Sequence, residues 1–158
     1  MEGFSYYLDL SNPYIGTSQE QVRNKKNKKN WDSLVLYFLQ SADLLIVKYW
    51  PGDVYVSEEF QVSTKGQKLL EPYKIYDKSI ELGMRSSYYR IHNSLKSIIL
   101  ETNSQGVPTN IFDFQLLRNN KVLMHSLDNG SSLFFNGNKK DLDCLLKSIN
   151  KNAICSLS

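Results

Sequence analysis

IFDFQLL (111–117), RNN (118–120) and KVLMHSL (121–127) read as two β-strands around a tight turn. Phe112, Phe114 and Leu116 alternate with Asp113 and Gln115, and an Asn pair stands between the arms. DNG at 128–130 is a second turn, and SSLFF at 131–135 is a third strand. NGN at 136–138 closes it, and residues 139–150 then place Leu142, Leu145, Leu146 and Ile149 on one helical stripe. A meander followed by a helix makes the chain α+β. The expected architecture is a single domain over 1–158, with a mainly antiparallel sheet, helices packed on it and a C-terminal helix after the meander. Phe112, Phe114, Phe135 and Leu145 are its expected core.

The last helix carries its own start signal. Asn138 is suited to accept a hydrogen bond from the first turn, and Asp141 stands where the helix dipole favours a carboxylate. Lys147 and Lys151 stand at the other end, where cations are favoured. Cys144 falls on the apolar stripe as a buried free thiol, and Cys155 in an exposed tail. Two cysteines near one end make no disulfide framework, and no Cys-x-x-Cys or Cys/His cluster offers a metal site.

Toward the N-terminus, residues 103–110 read as a loop around Gly106 and Pro108. Residues 86–101 fit two patterns. Tyr88, Ile91, Leu95 and Ile98 suit a helix, whereas Tyr89, Ile91, Leu95 and Ile99 partly suit a strand. Their Tyr and Ile content favours strand. Pro72 to Tyr76 reads as extended. Leu44 to Trp50 is a strand ending at Pro51-Gly52, a candidate hairpin turn into a strand at 53–57, with Ser57 capping a short helix from Glu58. Thr17 or Ser18 caps an earlier helix, whose Lys/Asn-rich middle is expected to be exposed or broken. Asp32 is a second candidate cap, before Leu34, Val35, Phe38 and Leu39 at helical spacing. The first fifteen residues read as a short extended segment up to Asn12-Pro13.

At 158 residues, with 41% hydrophobic and 12% aromatic side chains, the chain is long and apolar enough to bury a core. That composition excludes a disordered chain. No apolar run reaches the length of a membrane span, and MEGFSYYLD lacks the basic start and apolar core of a signal peptide. The expectation is a soluble, cytoplasmic protein without membrane contact.

The formal net charge is +3, most of it from one run: Arg23, Lys25, Lys26, Lys28 and Lys29. Clustered lysines neutralise phosphates and release counterions, so this run is the candidate nucleic-acid site. No aromatic is interleaved before Trp31, so no stacking platform accompanies it. The run therefore reads first as a solvated loop or exposed helix face, with nucleic-acid binding or processing as the alternative.

No catalytic residues are assigned. GxGxxG, GxxxxGK[ST], HExxH and GxSxG are all absent, which leaves no cofactor motif. His92 and His125 are the two histidines; with a Lys or Tyr they would suit a metal-independent ribonuclease, a third-ranked reading. His125 shares a strand face with Leu123 and Leu127, which points to a hydrogen-bonded structural histidine. The expectation is a binding protein and not an enzyme, and ten tyrosines supply suitable contact groups.

VYVSEEF at 54–60, Tyr88-Tyr89, NIFDF at 110–114 and LFF at 133–135 together resemble the layout of immunity proteins. These accompany bacterial polymorphic toxins, including contact-dependent growth inhibition systems. The likeness covers roughly residues 53–135. The first fifty residues have no counterpart, and the basic run departs from the acidic balance frequent in immunity proteins against nucleases. The resemblance implies an antitoxin that binds one cognate toxin domain and blocks its active site, with no catalytic residue to carry over. On charge complementarity to a basic cleft, Asp53, Tyr55, Glu58 and Glu59, with Tyr88 and Tyr89 as anchors, are the expected partner-binding residues.

Overall fold

The computed structural model describes residues 3–52, 65–101 and 108–157. Its strands are β1 (Tyr6–Leu8), β2 (Leu44–Tyr49), β3 (Lys74–Ser79), β4 (Arg85–Arg90), β5 (Asp113–Arg118), β6 (Lys121–Leu127), β7 (Ser132–Phe135) and β8 (Ile154–Ser156). Its helices are α1 (Glu20–Leu39), α2 (Lys65–Leu70), α3 (Asn93–Leu100) and α4 (Lys139–Leu145). The strands form one sheet in the order β3-β4-β2-β5-β6-β7-β1-β8, and the paired neighbours are antiparallel. The fold is α+β, as expected.

The meander β5-β6-β7 stands at the positions read from the sequence. Asn119 and Asn120 both take positive φ, 49° and 64°, the twist that a two-residue hairpin turn requires. Asp128, Asn129 and Gly130 also have positive φ as they turn β6 into β7. Gly130 has a second constraint. A Cβ there would lie 2.8 Å from Trp31 Nε1 and 2.9 Å from Pro108 Cβ.

One core joins the sheet to all four helices. Leu45 and Val47 of β2, Tyr89 of β4, Phe114 and Leu116 of β5, Met124 of β6, and Leu133 and Phe135 of β7 are buried on one sheet face. Trp31, Leu34, Val35 and Phe38 of α1 pack into this face. Leu70 of α2, Leu95 and Ile99 of α3, and Leu145 of α4 complete the cluster. Trp31 meets Phe114 edge-on at 6.2 Å between ring centroids. Each fully buried aliphatic or aromatic side chain of this kind contributes about 1.5–3 kcal/mol of transfer free energy. Phe112 is only half-buried, beside Trp50 at 5.4 Å.

Several expectations are corrected. The Lys/Asn run does not break its helix: α1 is continuous over 20 residues. Asn27 and Asn30 are buried, and Asn27 Nδ2 donates to the carbonyls of Leu10 and Ser11, which anchors the N-terminal segment on α1. Asp32 caps nothing; it accepts from Lys28 Nζ one turn earlier at 2.7 Å. Residues 86–101 are neither one strand nor one helix. β4 ends at Arg90, and α3 starts at Asn93 after His92, whose Nδ1 accepts from Ser94 N at 3.2 Å as the helix cap.

At the C-terminal end, the capping box is present. Asn138 Oδ1 accepts from Asp141 N at 3.0 Å, and Asp141 Oδ2 accepts from Asn138 N at 2.8 Å. The helix stops at Leu145, however, so Leu146 leaves the stripe and is 40% exposed. Cys144 is half-buried, not buried. Cys155 is also half-buried, because the expected tail is strand β8. β2 takes β4 and β5 as its neighbours. The expected strand at 53–57, the Ser57 cap and the helix from Glu58 lie outside the described residues, as do 103–107 of the expected loop. Among the described residues no helix is long and apolar enough to cross a membrane.

Candidate binding face

Because the helices share one core, the other face of the sheet carries no helix among the described residues. Strand register composes this face one residue at a time. Tyr76 pairs with Tyr88, Tyr88 with Ile46, Ile46 with Gln115 and Gln115 with His125. His125 then pairs with Phe134, Phe134 with Tyr7, and Tyr7 with Cys155. One row thus crosses all eight strands, one side chain from each, and spans about 33 Å at the usual inter-strand spacing.

At the β3 end the row is aromatic and cationic. The Tyr76 and Tyr88 rings lie 5.4 Å apart, and Lys78 Nζ stands 5.5 Å from the Tyr88 ring centre. Lys78 and Lys48 are register neighbours of Ser86 on either side. The Tyr88 phenol is held below its ordinary pKa. A hydrogen bond from Lys78 is the main cause, and Ser86 and the charge of Lys48 act in the same direction against the opposing effect of burial. Tyr76 is 57% exposed, and Arg90 extends the positive side.

The centre is locked. His125 is buried, its Nε2 lies 2.8 Å from Asp113 Oδ1, and its Nδ1 lies 3.4 Å from Gln115 Nε2. An amide nitrogen only donates, so both contacts are satisfied with Nδ1 accepting from Gln115 and Nε2–H donating to Asp113. Phe4 covers the imidazole at 6.2 Å. The pair resembles a base and its orienting carboxylate, but among the described residues no hydroxyl, thiol or amine is bonded to the ring as a nucleophile would be. His92 is committed to its cap. Among the described residues no group of three His, Cys, Asp or Glu is placed to hold a metal.

The sequence-derived candidates separate. Tyr88 is on the open face. Tyr89, its neighbour, points the other way, is 0% exposed and accepts from Gln67 Nε2 at 2.8 Å, so it offers a partner no surface. Adjacent residues of a strand face opposite sides, so a Tyr-Tyr pair supplies one anchor per face. Asp53, Tyr55, Glu58 and Glu59 lie outside the described residues.

The basic run is divided as well. Lys28 Nζ donates to Asp32 Oδ1, Leu100 O and Pro108 O within 2.7–2.8 Å and stands 4.9 Å from the Trp31 ring centre. It serves as an internal tie. Arg23 Nε donates to Ser11 O at 3.0 Å. Lys25, Lys26 and Lys29 remain exposed. The cross-sheet row was not visible in the sequence, because it exists only once the strand order is known. The chain matches no family model, no curated protein and no solved structure.

Proposed function

We propose that this chain is an immunity protein. It binds a cognate bacterial toxin domain in the cytoplasm and blocks that domain's active site. The observation that carries this reading is the row of eight side chains, Tyr76 to Cys155, which no helix covers among the described residues. A surface of this width suits a folded protein better than a small molecule, since a standard interface takes about 800 Å² from each partner. Tyr88 and Tyr76 are the anchors. Lys48, Lys78 and Arg90 around them call for an acidic patch on the toxin, the reverse of the sign expected from Asp53, Glu58 and Glu59. The alternative, nucleic-acid binding along α1, retains Lys25, Lys26 and Lys29, while Lys28 is occupied within the fold.

Co-expression with the toxin domain encoded beside this gene tests the proposal. The wild type should co-purify with that domain and protect cells. Tyr88→Ala combined with Lys78→Glu should weaken the complex at least tenfold while the isolated protein keeps its fold. A chain that neither co-purifies nor protects is not an immunity protein.

A further inference from the structure

A cleft of about 500 Å³ opens on the helix side of the sheet, where α2 and the Glu71–Tyr73 turn face the ends of β2, β3 and β4. Its floor holds an unusual atom. Gln67 is 3% exposed, and its Nε2 is fixed by Tyr89 Oη at 2.8 Å, yet its Oε1 has no hydrogen-bond partner among the described residues. A buried acceptor is costly to leave unpaired, and native folds rarely do so without a reason. Gln67 lines the cleft.

The cleft walls are charged. Lys74 Nζ lies 2.6 Å from Glu71 Oε1 and 3.6 Å from Asp77 Oδ2. Arg85 donates from Nε to Asp77 Oδ2 and from Nη1 to Ser79 Oγ, both at 3.0 Å. Tyr49 is a further hydrogen-bond partner of Arg85. A guanidinium has five N–H groups, so some remain for another acceptor. Lys68 has no carboxylate partner among the described residues. Among the described residues three cations therefore face two carboxylates, so this lining carries one more positive than negative charge.

We propose that this cleft binds a small anionic molecule that also carries an N–H donor. The donor pairs with Gln67 Oε1. The carboxylate or phosphate meets Lys68 and the remaining N–H groups of Arg85, and the body of the ligand lies along Tyr49 and Pro51. The volume suits a nucleoside monophosphate or a dipeptide. Both sources share this chemistry. The cleft is on the opposite side of the sheet from the Tyr76–Cys155 row, so the proposal stands independently of toxin binding.

Calorimetric titration of the full chain with adenosine monophosphate, alanylalanine and inorganic phosphate is the test. One of the two donor-bearing probes should bind with a dissociation constant below about 1 mM, more tightly than phosphate, and the one that does identifies the source. Gln67→Met and Lys68→Gln should each weaken that binding about tenfold or more. If Gln67→Met does not fold by circular dichroism, the exposed Lys68→Gln variant decides. Absence of binding by both probes overturns the proposal, as does affinity unchanged in the folded variants. Phosphate binding as tightly as the better probe, an adventitious ion only, also overturns it.

Discussion

Tyr37 Oη donates to Asp141 Oδ1 at 2.7 Å, and this contact ties the long helix α1 to the capping box of α4. The same carboxylate uses its other oxygen to accept from Asn138 N. One side chain thus starts a helix and docks it. Tyr37→Phe should cost about 1.5–3 kcal/mol, the range for a hydrogen bond to a charged acceptor, and Asn138→Ala about 1 kcal/mol. Because both act through Asp141, urea midpoints of the double variant should depart from additivity.

The four lysines of the basic run should not behave alike. Lys28→Gln removes the donor shared by Asp32, Leu100 and Pro108 and should destabilise the protein by about 1–3 kcal/mol in urea unfolding. Lys25→Gln, Lys26→Gln and Lys29→Gln together should change stability by less than about 0.5 kcal/mol each, as for exposed sites. Equal losses at Lys28 and Lys29 would show that the triple tie is not made in solution.

In the core, Leu145→Ala should cost about 2–5 kcal/mol and Phe114→Ala about 3–5 kcal/mol, since both side chains are 0–1% exposed. Gly130→Ala is the sharper test. It deletes no contact, but it places a Cβ against the Trp31 ring at a φ of +83°. A thermal midpoint unchanged in Gly130→Ala would mean that the β6–β7 turn is formed differently.

Alkaline pH should unfold the protein by a traceable route. Burial pushes the Tyr89 phenol up to about 12 from its ordinary value near 10, although the hydrogen bonds with Ser87 and Gln67 pull the other way. The unfolded chain releases this proton near pH 10 and the folded chain only near pH 12. Stability is therefore fully present below pH 10 and falls as pH rises between those values. Tyr37, raised by its hydrogen bond to Asp141, adds to the same slope. Urea midpoints at pH 8, 10 and 11 should fall with pH in the wild type and fall less in Tyr89→Phe.

The sequence revealed what is local. The meander was legible because its turn residues and two-residue periodicity are both short-range, and the Asn138–Asp141 box because its partners are three residues apart. The Asn-rich middle of α1 misled because the groups that satisfy Asn27, the carbonyls of Leu10 and Ser11, are distant in sequence. β8 was missed because three residues carry no pattern of their own; only pairing with β1 makes them a strand. The cap role of His92 is not legible in residues 86–101, because it depends on the break at Ile91 between β4 and α3. The open-face row and the Gln67 cleft each need strand order, so their residues were visible singly but never as a group.

The place of β1 has a consequence for biosynthesis. Its two neighbours in the sheet are β7 and β8, so Tyr6, Tyr7 and Leu8 leave the ribosome long before residues 132–156. At ordinary rates of about 5–20 residues per second, the wait is on the order of 10 s. During it the meander β5-β6 has the means to close locally, whereas β1 has no strand to lie against. The β1–β8 pairing is therefore made only after residue 156 has been translated, and a nascent chain stalled before residue 154 still exposes the edge that β8 would cover.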